Sequence, residues 1–113
     1  MLRSFGYAID GLRALFRSEN NARFHLVAAI IVVLMSIWFR LNTTEWVFIV
    51  LAIGNVWAAE AFNTALEKLC DLVSPAYHPQ VKAIKDLAAA GVLLIAIVAV
   101  VVGVIIFGQK LTS

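Results

Sequence analysis

Residues 60–71 of the chain read EAFNTALEKLCD and directly follow residues 46–59, WVFIVLAIGNVWAA, which resemble the beginning of a membrane span. Residues 46–59 alone are too few to cross a bilayer core of about 30 Å at about 1.5 Å per residue. They span it if the helix continues through residues 60–71, which carry three carboxylates and an asparagine. The sequence therefore predicts one long helix over about residues 46–72, in which an apolar span carries polar side chains.

The composition favours a membrane protein. Of the 113 residues, 63% are hydrophobic and 14% are charged, and the apolar share is above the roughly 45–50% of globular proteins. Residues 87–107 contain no charged side chain and are long enough to cross a bilayer, and residues 24–39 carry one histidine at their edge. We predict an all-α protein with one domain over residues 1–113 and membrane spans over about 24–40, 46–72 and 84–107.

A further helix is predicted before the spans, over about residues 4–17. Its apolar residues recur at the spacing i, i+4, i+7 and i+11: Phe5, Ile9, Leu12 and Phe16. The arginines of this segment face elsewhere. A basic amphipathic helix of this kind suits the headgroup layer of a membrane. The alternative is a helix that packs on a soluble partner.

The basic residues predict the orientation in the membrane. Seven of them precede the first span or lie near the second loop, and two lie on the opposite side, Arg40 and Lys110. Under the positive-inside rule, the N-terminus and the loop over residues 72–86 are then cytoplasmic. A net charge of +2 is too small to indicate nucleic acid as a partner.

The polar residues of the second span form a stripe. At 100° per residue, Glu60, Asn63, Glu67 and Asp71 fall on one side of the helix. A charged side chain in the hydrocarbon costs at least about 2.5–3.5 kcal/mol, so such residues usually mark a site or a pathway. Glu60 lies deepest and is a candidate proton acceptor. The alternatives are a structural hydrogen bond for Glu60 and a solvated helix end for Glu67 and Asp71.

Other polar residues are predicted at the same cytoplasmic level. They come from the end of the surface helix, from the second loop and from the start of the third span: Glu19, Tyr77, His78, Lys85 and Asp86. A histidine such as His78 often forms a hydrogen bond within its loop, and Lys85 is as well suited to anchoring a helix at the interface.

This inventory suits phosphoryl transfer at a membrane face. Glu19 and Glu67 could hold a hard cation such as Mg²⁺, which takes one or two carboxylates together with phosphate oxygens, and Lys85 could neutralise a phosphate. The soluble solutions to this chemistry are absent, since the sequence contains neither G-x-x-x-x-G-K-[ST] nor a kinase H-R-D loop.

Two stretches carry a family resemblance. Residues 60–91, EAFNTALEKLCDLVSPAYHPQVKAIKDLAAAG, resemble the signature of the small bacterial integral-membrane lipid kinases, the diacylglycerol kinase and undecaprenol kinase family. Residues 11–25, GLRALFRSENNARFH, resemble the junction between the surface helix and the first span of that family. Beyond these two stretches, the resemblance covers nearly the whole chain.

The resemblance implies a homotrimer of three-span protomers in the bacterial inner (plasma) membrane, with sites shared between protomers. It implies that the protein phosphorylates a lipid alcohol with MgATP on the cytoplasmic face. By the same resemblance Glu60 is the catalytic base, and Glu19 and Glu67 are the metal ligands. The remaining matches are Lys85 to the γ-phosphate, Asp86 to the nucleoside, Tyr7, Tyr77 and His78 along the nucleotide site, and Asn63 and Asp71 as the supporting polar face.

Two positions bear on the lipid. Asp10 stands where the diacylglycerol branch tends to be basic, and Ala89 replaces a small hydroxyl residue found in some members. These two positions leave both lipids open as the substrate. Residues 23–25, RFH, residues 77–94 and the short N-terminus resemble the undecaprenol branch more closely, and they favour undecaprenol over diacylglycerol. An alternative of another class is a non-catalytic membrane subunit or a cation pathway. The apolar outer half of every predicted span favours the enzyme, since a pathway needs polar groups through its full depth.

Overall fold

The chain folds into helices joined by short connections. The computed structural model describes the backbone of residues 1–113 and the side chains of all residues except 18 and 20. The helices are α1 (Leu2–Ser18), α2 (Asn20–Trp38), α3 (Thr43–Val73) and α4 (Pro79–Thr112). Three of them, α2, α3 and α4, are long and apolar enough to cross a membrane. The predicted all-α class with three such helices is confirmed.

The helices pack unevenly. Most of the contacts between helices join α3 to α4, and α2 meets α3 at fewer positions. The hydrophobic core lies at the end of the bundle that holds the turn between α2 and α3, where four buried side chains meet: Leu41, Ile49, Ile106 and Phe107. Much of the apolar surface of the three long helices is therefore left facing outwards, as a lipid environment or a second protein chain requires.

The turn between α2 and α3 is a tight helix stop. The Leu41 N–H donates to the Ser36 carbonyl and the Arg40 N–H to the Ile37 carbonyl, both at 3.2 Å. These two bonds form a Schellman motif, which satisfies carbonyls that have no partner within the helix. The motif ends α2 at Trp38, two residues before the predicted end of the first span at residue 40. It requires a left-handed residue, and Arg40 takes that conformation with φ of 54°.

The start of α3 is capped and tied to the end of α4. The side chain of Asn42 accepts from the Glu45 N–H and the Glu45 carboxylate accepts from the Asn42 N–H, each at 2.9 Å. This capping box satisfies two of the free donors at the helix start. The same Glu45 carboxylate lies 3.0 Å from the Lys110 ammonium group, so the first turn of α3 and the last turn of α4 are held side by side.

The connection between α1 and α2 is a single extended residue, Glu19. The Arg23 guanidinium, in the first turns of α2, donates from Nε to the Phe16 carbonyl at 2.9 Å and from Nη2 to the Arg17 carbonyl. A basic side chain therefore satisfies the carbonyls at the end of α1. The Phe16 ring also packs edge-on against Trp57 of α3, with centroids 5.3 Å apart, which fixes this end of α1 against the bundle.

The rest of α1 makes little contact with the protein. Of the apolar residues predicted on one face, Phe16 is half-buried, whereas Phe5, Ile9 and Leu12 are exposed. Leu15, next to Phe16, is buried.

The third long helix begins early. α4 starts at Pro79, ahead of the predicted start of the third span at residue 84. Proline suits the first helical position because its missing N–H has no partner there in any case. His78 precedes it as the capping residue, with its Nδ1 accepting from the Gln80 N–H at 3.1 Å.

The left-handed Arg40 generates a stability prediction. An L-residue other than glycine costs roughly 1–2 kcal/mol in this conformation. Glycine avoids that cost, but part of the gain is offset because glycine gives the unfolded chain more conformational entropy. Arg40→Gly should therefore raise the free energy of unfolding by about 0.5–1 kcal/mol, measured by titration with a denaturing detergent in mixed micelles. Arg40→Ala is the matched control: it loses the same charge but keeps a Cβ, and equal stabilisation by both variants would contradict the explanation.

Candidate active site

The deepest polar residue of α3 has a partner on α2. Glu60 is 4% exposed, and its Oε1 lies 3.1 Å from Nε2 of His25, whose side chain is half-buried. A buried carboxylate without a partner is costly, so this contact is what makes Glu60 tolerable at its position. Trp57, which packs on Phe16, lies one turn away from Glu60 on α3. The end of α1 is therefore brought close to the buried pair.

From the sequence we did not predict the contact between His25 and Glu60, although the number of residues that separates each of them from the turn between α2 and α3 indicates a similar depth. His25 lies 13 residues before the end of α2 at residue 38, and Glu60 lies 17 residues after the start of α3 at residue 43. The difference of four residues is about 6 Å along antiparallel helices, or roughly one turn. A histidine and a carboxylate at similar depth on adjacent spans are therefore natural partners.

The next polar turn of α3 holds Asn63 and Glu67. The Asn63 Nδ2 donates to Glu67 Oε1 at 3.2 Å, a contact between residues four apart on one helix face. The Asn63 Oδ1 is buried and has no hydrogen-bond donor among the residues that the structure describes. A buried acceptor in this state calls for a ligand, a cation or a water molecule. Thr64, beside this pair, is buried as well.

At the end of the stripe, α3 is joined to α4 by charge. The Lys85 ammonium lies 2.5 Å from Asp71 Oδ1, and the Lys82 ammonium lies 2.6 Å from Asp86 Oδ2. The residues predicted to meet the γ-phosphate and the nucleoside, Lys85 and Asp86, are thus each held in an ion pair. Three of these four side chains are well exposed and Lys85 is 36% exposed. Exposed pairs contribute little stability, so an incoming anion can displace them.

An open cleft of about 340 Å³ adjoins the Lys85–Asp71 pair. The loop and the first turns of α4 supply its walls, which include Tyr77, His78, Lys82 and Lys85. Tyr77 is 78% exposed, whereas the His78 ring already serves as the cap of α4. His78 therefore forms a local hydrogen bond, as the alternative from the sequence expected. The structure nevertheless brings Tyr77, His78 and Lys85 together at one cleft.

Two predicted residues lie on or next to α1 and outside this cleft. Tyr7 is 73% exposed on α1, and Glu19 is half-buried at the junction of α1 and α2. Neither lines the cleft in the described part of the chain. The stripe itself is ordered along α3, with Glu67 about 10 Å and Asp71 about 16 Å from Glu60 along the axis.

The polar stripe offers oxygen ligands for a metal ion. Among the described residues, no group of three or more His, Cys, Asp or Glu side chains is placed to hold one. A closed all-protein site is thus not present in that part of the chain. Mg²⁺ accepts hard oxygen ligands alongside substrate phosphates. Such ligands are offered by the carboxylates of Glu19 and Glu67 and by Asn63 Oδ1, which is buried and has no donor among the described residues. The residues fit that ion.

An apolar groove of about 430 Å³ runs along the other side of the buried pair. Its walls come from α2, α3 and α4, and they extend from His25 and Trp57 towards Met35, Ile49 and Phe107. The groove lies within the three helices that are able to cross a membrane. Glu60, through its contact with His25, therefore adjoins an apolar space that is open to the surroundings of the bundle.

Comparison with known proteins gives a consistent picture. The model of the prokaryotic diacylglycerol kinase family matches residues 6–107. Undecaprenol kinase of Bacillus subtilis is 38% identical over 109 residues, which cover 96% of this chain and 89% of the relative. Diacylglycerol kinase of Synechocystis sp. is 38% identical over 104 residues, 91% of this chain and 59% of the relative. Diacylglycerol kinase of Escherichia coli (strain K12) is 30% identical over 101 residues, 89% of this chain and 83% of the relative.

Proposed function

Since the chain belongs to the prokaryotic diacylglycerol kinase family, it is an ATP-using lipid kinase of the membrane, and we propose that it phosphorylates the hydroxyl of undecaprenol. Family membership favours the kinase over a non-catalytic subunit or a cation pathway. The relative named undecaprenol kinase is matched over nearly its full length, which supports this lipid. The relatives named diacylglycerol kinase make diacylglycerol, with phosphatidic acid as product, the second candidate.

The observation that carries the proposal is the position of Glu60. Its carboxylate is buried on a membrane-spanning helix, and through His25 it adjoins an apolar groove. The polar stripe leads from it to the cleft beside Lys85. A lipid alcohol arrives from the apolar side and ATP from the water side, so a base for the hydroxyl has to stand between them.

The chemistry follows from that position. The lipid oxygen attacks the γ-phosphorus, and a new O–P bond forms while the bond from that phosphorus to the β–γ bridging oxygen breaks. Glu60 accepts the hydroxyl proton, and ADP leaves with the electron pair of the broken bond. Phosphoryl transfer depends chiefly on positioning and electrostatics, and a placed base contributes roughly 10²–10⁴-fold.

The nucleotide is proposed to lie in the cleft between the loop and the first turns of α4. Lys85 would exchange Asp71 for the γ-phosphate, and Asp86 would exchange Lys82 for the nucleoside. Tyr77 and His78 would line the site from the loop and Tyr7 from α1. The exposure of both ion pairs supports this exchange, because little stability is lost when exposed pairs separate.

Mg²⁺ is proposed as the cofactor, held by Glu19 and Glu67. When bound, it would neutralise charge on the phosphate oxygens. Glu67 is half-buried next to Asn63, whose amide donates to one of its oxygens and so orients the carboxylate. Glu19 is the extended residue between α1 and α2, so its position depends on the contacts that hold α1 against the bundle.

A homotrimer with sites shared between protomers is proposed as the working form. Opposite the polar stripe, α3 has an exposed seam whose residues alternate in steps of three and four: Phe48, Leu51, Asn55, Ala58, Phe62, Ala65 and Leu69. This spacing is the coiled-coil repeat. The Asn55 amide donates to its own helix, at Leu51 O, 2.7 Å away. An asparagine on an apolar seam favours another helix over lipid, because lipid tails offer it no hydrogen bond.

The protein is proposed to lie in the bacterial inner membrane, with its N-terminus and site on the cytoplasmic face. The excess of basic residues on that side supports this orientation. The exposed apolar residues of α1, among them Phe5 and Leu12, support a helix that lies in the headgroup layer.

The lipid assignment is tested by competition. Purified protein in bilayer nanodiscs receives radiolabelled ATP with equal mole fractions of undecaprenol and diacylglycerol, and the labelled lipids are separated. We expect most of the label in undecaprenyl phosphate. A predominance of labelled phosphatidic acid would replace undecaprenol by diacylglycerol, and an absence of label from both lipids would contradict the kinase itself.

The base is tested by Glu60→Gln, which keeps the shape and can still accept a hydrogen bond from His25 but cannot take the hydroxyl proton. We expect nearly normal MgATP binding and a kcat lowered by roughly 10²–10⁴-fold. Calorimetric nucleotide titration and the lipid assay provide the two readouts. Near-full activity would remove Glu60 as the base, and loss of the oligomer would favour a purely structural carboxylate.

The metal ligands are tested by Glu19→Gln and Glu67→Gln. Each variant keeps its side-chain volume and loses one ligand charge, so the Mg²⁺ concentration for half-maximal activity should rise in both. Glu45→Gln is the matched control, because that carboxylate caps α3 and pairs with Lys110 at the other end of the bundle. Unchanged Mg²⁺ titrations in both test variants would refute the assignment.

A further inference from the structure

The buried pair contains a residue to which the proposed reaction assigns no role. In the described part of the chain, the side-chain partner of Glu60 is His25, at 3.1 Å from Nε2 to Oε1. An ionised carboxylate accepts hydrogen bonds and donates none, so the proton in this contact belongs to Nε2 of the imidazole. This holds for the neutral ring and for the charged ring alike.

We propose that His25 is a positioning residue for the lipid kinase reaction: its Nε2–H holds Oε1 of Glu60 and leaves Oε2 to receive the lipid hydroxyl. The proposal rests on Glu60 acting as the base. A free carboxylate on a helix turns about its side-chain torsions, whereas one held by a charge-assisted hydrogen bond presents its second oxygen in one direction. His25 thus acts through Glu60 and does not itself exchange a proton with the substrate.

The surroundings of His25 support this role over a purely structural one. His25 is a lining residue of the apolar groove, together with Phe24, Ala28 and Trp57. A lipid alcohol that enters the groove therefore has its hydroxyl end near the imidazole when it reaches Glu60. In an apolar site of this kind a hydrogen bond is electrostatically stronger than in water, and an absent donor is correspondingly more costly.

The contact also joins the two helices that must keep their relative height for the site to work. α2 meets α3 at fewer positions than α4 does. The bond between His25 and Glu60 holds the far part of this hairpin. It therefore couples the base to the helix that follows Glu19, the proposed metal ligand.

The test compares two substitutions of the same residue. In His25→Gln the amide nitrogen lies the same number of bonds from Cα as the imidazole Nε2, so a donor without acid–base chemistry remains. In His25→Leu the volume is similar and the donor is lost. A hydrogen bond to a charged group corresponds to roughly 10- to 100-fold, so we expect kcat to fall by about that factor in His25→Leu. His25→Gln should recover most of the loss, and both variants should keep the wild-type KM for ATP.

Each other outcome overturns the proposal. An equal loss of kcat in both variants would show that the imidazole ring itself is needed. An unchanged kcat in His25→Leu would show that the contact does not contribute to the reaction. A raised KM for ATP or a lost oligomer in His25→Leu would indicate a general structural role. Val27→Leu, one exposed apolar replacement on the same helix, controls for disturbance of α2.

A double variant separates this proposal from the proposed function. If His25 acts through Glu60, adding His25→Leu to Glu60→Gln should lower the residual rate by no further factor, and a full additional loss would overturn the inference. If Glu60→Gln alone retains near-full activity, the assignment of the base fails. An isotope-edited infrared spectrum then still reports on the contact, because removal of the donor in His25→Leu should shift the carboxylate stretch of Glu60.

Discussion

The structure depends on the burial of one carboxylate in a membrane helix. Glu60 is placed where an unpaired charge is expensive, and the cost is offset by a donor from the neighbouring helix, His25. This contact joins α2 to α3 at the depth of Glu60. Around it the polar residues continue in one direction along α3 to Asp71, while the apolar groove extends in the other. The stripe on α3 thus runs from the apolar groove next to the buried pair to the cleft beside Asp71, about 16 Å away along the helix axis.

The remaining contacts hold the helices around that pair. At one end the Schellman turn, the capping box and the Glu45–Lys110 ion pair join α2, α3 and α4. At the other end the Arg23 bonds to α1 carbonyls and the Phe16–Trp57 contact place the end of α1 next to the buried pair. Between these ends the helix surfaces are mostly apolar and exposed, as a lipid kinase of this family needs if its substrate approaches within the bilayer.

Two ion pairs near the cleft involve the residues that we propose for nucleotide binding. In the structure described here Lys85 is paired with Asp71 and Asp86 with Lys82. In the proposed reaction these pairs keep the charges compensated until the nucleotide binds, since phosphate oxygens form charge-assisted hydrogen bonds with an ammonium group. The buried acceptor of Asn63 remains without a donor in the described residues, which is consistent with a site completed by its ligands.

The sequence by itself determined the all-α class, the three long apolar helices and the family, because apolar run length and polar periodicity are local properties of the chain. It also indicated Tyr77, His78 and Lys85 as neighbours, because a short loop and the first turns of the helix that follows it lie close together. Only the tertiary structure decided that His25 meets Glu60, that Asp71 takes Lys85, and that Tyr7 stays outside the cleft. These outcomes depend on the relative rotation of separate helices, which arises from long-range packing. The spacing from the turn indicates that His25 and Glu60 lie at similar depth, but it does not indicate the rotation that turns them towards each other.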